Sequence, residues 1–264
     1  MQAYIQHVDA PQAQTVAALY APFLADTTNS TQQSVDATQT VVALLDGRQS
    51  SYVSHSSQSA FDVARQVATV IHQSAQYYRS IARAFANNSE SDLNVAANYR
   101  DQAMANNVAW LHEHASTGAH IVLWAHDTHI GTFQNAGSTT PPYITMGEYL
   151  RQRYGAAYFA IGQTFYAGDF NTPGGNTHHL DAPTANSGNA VLCSLGMPLY
   201  FLDLHAIPAS NARTWLDQPH PFLLVGAGYS AAHPPYATFA PDAIFDLIIH
   251  IQNVTASHPL CTKC

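Results

Sequence analysis

The chain has little charge. Asp, Glu, Lys and Arg make up 10% of its 264 residues, and nine Lys plus Arg against seventeen acids leave a formal net charge of −8. Nine cations cannot build a face that neutralises a phosphate backbone, which argues against nucleic acid as a partner. Long apolar runs are also missing. The longest, around Ile121 to Ala125 and Ala243 to Ile251, are strand-sized and well short of the ~18 residues a bilayer span needs, so no membrane crossing is expected. The opening residues MQAYIQHVDAPQ lack the basic head and apolar body of a secretory leader. Cysteine is scarce: Cys193 stands alone, and Cys261 and Cys264 form a Cys-x-x-Cys without the second pair that would make a strong metal signal. Several catalytic signatures are absent. There is no Gly-x-Ser-x-Gly elbow, no phosphate-binding Gly-x-x-x-x-Gly-Lys-Ser/Thr and no His-Glu-x-x-His.

What is present is a large apolar fraction, 47%, with a surface finished in Gln, Asn, Ser, Thr and fifteen His rather than in ions. A chain of this length can bury a full core without disulfides, and one domain over residues 1–264 is the expectation. Its texture changes near residue 118. Before that point the pattern is helical: a helix from about Pro11 to Leu24, a Gln/Thr-rich stretch, then Gln58 to Asn87 with Phe61, Val67, Ile71, Tyr78 and Phe85 among its periodic apolar positions. Ser89 to Asp92 offers capping chemistry, and a second long helix follows, giving an expected antiparallel pair. From 119 to 264 short apolar runs (HIVLWAH, YFAIGQTFYAGDF, MPLYFLDL, PFLLVGAG, AIFDLIIHI) alternate with helix-like MGEYLRQRYG and SGNAVLCSLG, each ending in Gly. That alternation predicts an α/β fold with a central, largely parallel sheet and flanking helices.

In such a sheet, reactive groups collect where strands end. The run from His120 to Leu123 is followed by Trp124-Ala-His126-Asp127-Thr-His129, two imidazoles able to move protons near neutrality or to bind a metal. Spacing alone weighs equally for a strand that merely finishes in polar residues. On the second long helix, Leu93, Ala97, Arg100, Met104, Asn107 and Leu111 form the stripe expected to face inward, with Asp101 pointing elsewhere. An inward Arg100 needs an anion or a cavity, and a structural ion pair serves as well as a site. GAGYSA at Gly226 to Ala231 matches Gly-x-Gly-x-x-Ala, but His233-Pro234-Pro235 cannot continue a helix, so a dinucleotide loop is not expected. His178 and His179 read as loop residues.

RDQAMANNVAWL (Arg100 to Leu111), IVLWAHDTHIG (Ile121 to Gly131), Met146 to Phe170, MPLYFLDL and FDLIIHI (Phe245 to Ile251) resemble, in this order, successive blocks of the erythromycin esterase family. The resemblance implies an α/β fold and hydrolysis of an ester, in named members a macrolide lactone, by water that a histidine base activates. Position by position, it implies that His126 and His129 are catalytic and that Arg100, Asp127 and Trp124 meet a small-molecule ester or macrolide. No cofactor is implied. Asp127 stands where the family usually has Asn, and an inward carboxylate there would raise the pKa of both imidazoles. A Gly-Glu-x-x-His-Gly segment that supplies the family's base is not found; the blocks imply that residue 1 falls after it. Two other readings use the same residues: a metal site of His126, His129 and Asp127, or a binding module that has lost its base.

Overall fold

The structure, a computed structural model, describes residues 1–133, 143–173, 175–226 and 228–258. Among them, residues 1–111 with Tyr143 form one compact unit, and residues 112–133 with those from Ile144 onward form the other.

The first unit is helical. It contains α1 (Gln2–Val8), α2 (Ala10–Ala25), α3 (Gln32–Gly47), α4 (Gln49–Ser54), α5 (Gln58–Asn87) and most of α6 (Glu90–Glu113). Ile5, Val16, Tyr20, Val41, Leu45, Tyr52 and Phe61 interlock as its core. The Gln/Thr-rich stretch, which carries no clear period, is in fact α3 and α4: Thr31 caps α3 through Ser34 N–H, and Val41, Val42 and Leu45 supply a narrow buried stripe. The long helices α5 and α6 are antiparallel, as their cross-links show. Gln66 and Gln73 bond Asn107, Gln76 bonds Tyr99, and Arg83 and Asn87 bond Asp92, so rising numbers on one meet falling numbers on the other. The turn between them has Asn88 in the left-handed region at φ 47° and Ser89 Oγ accepting the Asp92 N–H.

The second unit is mixed. In chain order it holds α7 (Asp127–Ile130), α8 (Met146–Tyr154), β1 (Ile161–Thr172), β2 (Asn176–Leu180), α9 (Gly188–Cys193), β3 (Leu199–Asp203), α10 (Asn211–Leu216), β4 (His220–Leu223), β5 (Tyr236–Phe239), α11 (Pro241–Ile244) and β6 (Leu247–Val254). The main sheet has the order β2-β1-β6-β3, and β4 pairs β5 separately. The α/β class holds, but the sheet is not largely parallel: only β1 and β6 run together, while β2 and β3 are antiparallel to their neighbours. A short hairpin turn returns β2 on β1, and this geometry forces antiparallel pairing. His178 and His179 therefore lie on β2 and not in a loop; His178 stacks on Phe170, and His179 bonds Asp169 and Asp181.

The largest departure concerns the run before His126. Residues 119–126 are not in a strand, and Val122 and Trp124 are 93% and 83% exposed. Apolar β-branched residues made the run read as buried, yet a strand exists only where a neighbour takes its backbone bonds. One sheet face is likewise exposed along its β3 edge. Pairing sets Ile161, Gln163 and Phe165 of β1 beside Leu247, Ile249 and Ile251 of β6 and Leu199 and Phe201 of β3, and of the apolar ones Leu199 and Phe201 are the most exposed. The opposite face, with Ile248, Leu202 and Tyr200, packs on Leu204, Phe222, Phe239 and Phe245.

α8 fixes the position of α7. A methyl added at Gly147 would lie 2.1 Å from the Ile130 carbonyl oxygen, so the two backbones touch where the glycine permits it. Gly147→Ala is expected to lower stability by about 1–3 kcal/mol, as overpacking does. Urea melts of the variant should show a lower midpoint with an unchanged slope.

Candidate active site

α7 is one turn long, and a histidine caps it. His126 takes extended φ/ψ, and its Nδ1 accepts the Thr128 backbone N–H at 3.2 Å, with Thr128 Oγ1 at 2.8 Å. A backbone N–H can only donate, so Nδ1 carries the lone pair and the neutral ring has its proton on Nε2. That Nε2–H donates to the Val225 carbonyl at 2.8 Å, just past β4. Both ring nitrogens are thus engaged and the imidazole is fixed in place.

Beside it lies Asp127, buried at the first position of the turn. Its two oxygens accept the Gln163 backbone N–H of β1 at 3.0 and 3.3 Å. Burial pushes its pKa up to about 7, against the lowering effect of that N–H. The inward carboxylate expected from the sequence is present, and it is the carboxyl's own ionisation that burial displaces. Among the described residues no cation shifts this carboxyl.

These groups border a 400 Å3 cleft lined by Trp124, Ala125, His126, Asp127, Gln163, Phe165, Leu223, Leu224 and Val225. The volume is within the roughly 300–1,000 Å3 typical of ligand sites, and the wall is mainly apolar with a few polar groups, as such sites are. The structure brings His126, Asp127 and Trp124 together here. His129 sits on the same turn, its N–H bonded to the His126 carbonyl at 2.8 Å, but it is not part of the cleft wall.

Arg100 belongs to the first unit, on the exposed side of α6, with its guanidinium 5.9 Å from the Tyr77 ring centroid. The buried residues of α6 are Ala96, Asp101, Ala105 and Ala109, none of them in the expected stripe, so Asp101 and not Arg100 faces inward. Tyr143 donates to Asp101 Oδ2 at 2.9 Å. Small alanines occupy this face; the larger Leu93, Met104 and Leu111 drew the sequence reading to the wrong side.

Sequence reasoning missed a second polar cleft of 560 Å3, bordered by Glu148, Arg151, His205, Asp242 and Asp246 among others. Asp246 is buried where β6 begins. Its Oδ2 accepts from Arg151 at 2.5 Å and from the Ala160 N–H at 2.6 Å, and its Oδ1 from His205 Nε2 at 2.8 Å. Burial pushes its pKa up, but the Ala160, His205 and Arg151 bonds together outweigh it and hold the carboxyl below the ordinary value. The signal was legible as an acid inside the apolar run Phe245-Asp246-Leu247. Among the described residues no three His, Cys, Asp or Glu converge as a metal would require, which leaves the metal reading of His126, His129 and Asp127 without geometric support. No described helix is long and apolar enough to cross a membrane. Cys261, Cys264 and Ala227 of GAGYSA lie outside the described residues; Gly228 to Ser230 are not helical.

With this geometry in place, the sequence profile of the erythromycin esterase family matches residues 1–254. The chain belongs to the erythromycin esterase family. Solved structures agree at the level of the fold. A Bacillus cereus protein superposes with a TM-score of 0.77 at 21% identity, over 96% of this chain and 62% of its own. A succinoglycan biosynthesis protein gives 0.72 at 18%, over 96% and 60%. A mutant of the erythromycin esterase EreC in its open conformation gives 0.66 at 17%, over 96% and 64%. This family member thus spans about three fifths of the length of the solved relatives it matches.

Proposed function

We propose that the cleft at His126 hydrolyses an ester or lactone of a small molecule, macrolides included, with water as the nucleophile. Family membership supports the reaction class. The observation that carries the location is the fixed Nε2–H of His126 at the wall of a mostly apolar hollow with a buried carboxyl beside it. An apolar acyl or alcohol group would lie against Phe165, Leu223 and Trp124 and displace water. Exchanging the Val225 carbonyl for the substrate's oxygen would let the Nε2–H bond the oxyanion as water adds, a donor placed in advance of the reaction. His129, on the adjoining face of the turn, holds the capping geometry and is the second imidazole of this proposal. The resemblance of the Arg100 block makes Arg100 a proposed substrate contact as well.

The test is turnover of p-nitrophenyl esters and of a macrolide lactone by the whole chain. His126→Ala is expected to lower kcat/KM by about 10²–10³-fold, the typical effect of losing one oxyanion donor, with the circular dichroism spectrum retained. Turnover that is indifferent to this substitution would move the reaction away from the cleft.

A further inference from the structure

Resting on the ester-hydrolysis reading above, we infer that the Asp127 carboxyl is the group that takes a proton from the attacking water and returns it to the leaving alcohol. Elimination within the cleft comes first. Of the nine described residues that border it, only His126 and Asp127 have side chains able to exchange a proton. His126 cannot accept a proton as it stands, because Nδ1 already accepts the Thr128 N–H and Nε2 carries its own hydrogen to Val225. Serving as a base would require it to break the cap of the turn that holds the site. Asp127 has no such commitment. Its only side-chain partner among the described residues is the Gln163 backbone N–H, one donor for a group with about four lone-pair sites.

The surroundings keep that carboxyl poised. His126 and His129 flank it on its own turn; α8, packed against the turn, brings Glu148, Arg151 and Arg153, and β1 brings Tyr166 and Asp169. None of these displaces its ionisation by charge: burial raises it to about 7 and the Gln163 N–H partly offsets the rise. A base is most effective when its pKa lies near the ambient pH, since it is then both present as the anion and strong enough to take a proton.

The step balances without a co-reactant. The Asp127 carboxylate removes one proton from water while the water oxygen bonds the ester carbonyl carbon, and the carbonyl π pair moves to oxygen as the oxyanion. Collapse of the oxyanion breaks the bond to the alcohol oxygen, which takes the proton back from Asp127. An acid and an alcohol leave, and the carboxylate is restored.

The experiment measures kcat/KM for p-nitrophenyl acetate from pH 5 to 9 in the wild type, Asp127→Asn and Asp127→Glu, with circular dichroism confirming that each is folded. The wild type is expected to rise with pH to a plateau with an inflection near 7. Asp127→Asn should lose about 10²–10⁴-fold, the contribution of a general base, together with the inflection. Asp127→Glu should recover part of the rate with an inflection at a changed pH. If Asp127→Asn stays within about threefold of the wild type, or keeps the inflection, this inference falls while the ester reading stands. If the wild type turns over no ester at all, both fall.

Discussion

At pH 8 the Asp127→Asn variant is expected to melt on the order of 10 °C above the wild type, whereas at pH 4 the two should melt together. The carboxyl holds its proton to about pH 7 in the folded chain, against an ordinary value of 3.8. Between those limits the folded state binds more protons than the unfolded one, so stability falls as pH rises through the window and stays low above it. A displacement of about three pH units is worth about 4 kcal/mol, and 2–4 °C per kcal/mol is the usual conversion for a chain of this size. The amide is neutral at every pH and can still accept the Gln163 N–H, so the variant escapes the penalty. Differential scanning calorimetry at the two pH values decides the matter; equal gains at both would show that the substitution acts through packing and not through charge. Raised stability together with lost turnover would mark a site held in a strained electrostatic state for its chemistry.

Asp246→Ala should do the reverse, with a loss of about 3–5 kcal/mol, the cost of breaking a buried ion pair from one side. Three elements meet on this carboxylate. Arg151 comes from α8, the Ala160 N–H from the start of β1, and His205 from the loop after β3. Removing it leaves the Arg151 guanidinium and the Ala160 N–H facing a void at the head of the parallel β1–β6 pair. The pH signature is also opposite to that of Asp127. Because the folded value lies below the ordinary one, the stabilisation is fully present above about pH 4 and disappears as pH falls through the lower folded value. Urea midpoints of wild type and variant should therefore differ widely at pH 7, and the gap should narrow as the pH is lowered below 4.

The residues show why some of this was legible and some was not. α5, β1 and β6 follow from their patterns because each has buried positions on one side, and burial is what writes a period into sequence; α6 was legible as a helix but not for its inward face, and β3 only as an apolar run between turns. α3 left only a narrow stripe among Gln and Thr, too faint to read. The run 120–125 has strand composition without a strand's partner, a property of the tertiary structure that composition does not carry. Asp127 was named as a departure from the family's Asn, but its consequence depended on whether water reaches it. Spacing could place the carboxyl on a turn; only the fold could close Phe165, Leu223 and Val225 around it. His126 was found for its chemistry, while its tautomer came from one backbone N–H that no motif encodes.

The uncovered strand face changes how melting must be followed. Leu199, Phe201 and Trp124 stand in water in the native chain, so a solvatochromic dye that reports unfolding by binding apolar surface will find that surface before any heat is applied. Its baseline will be bright and its transition shallow, and the melts proposed above therefore belong to calorimetry and ellipticity, whose signals do not depend on where grease is showing.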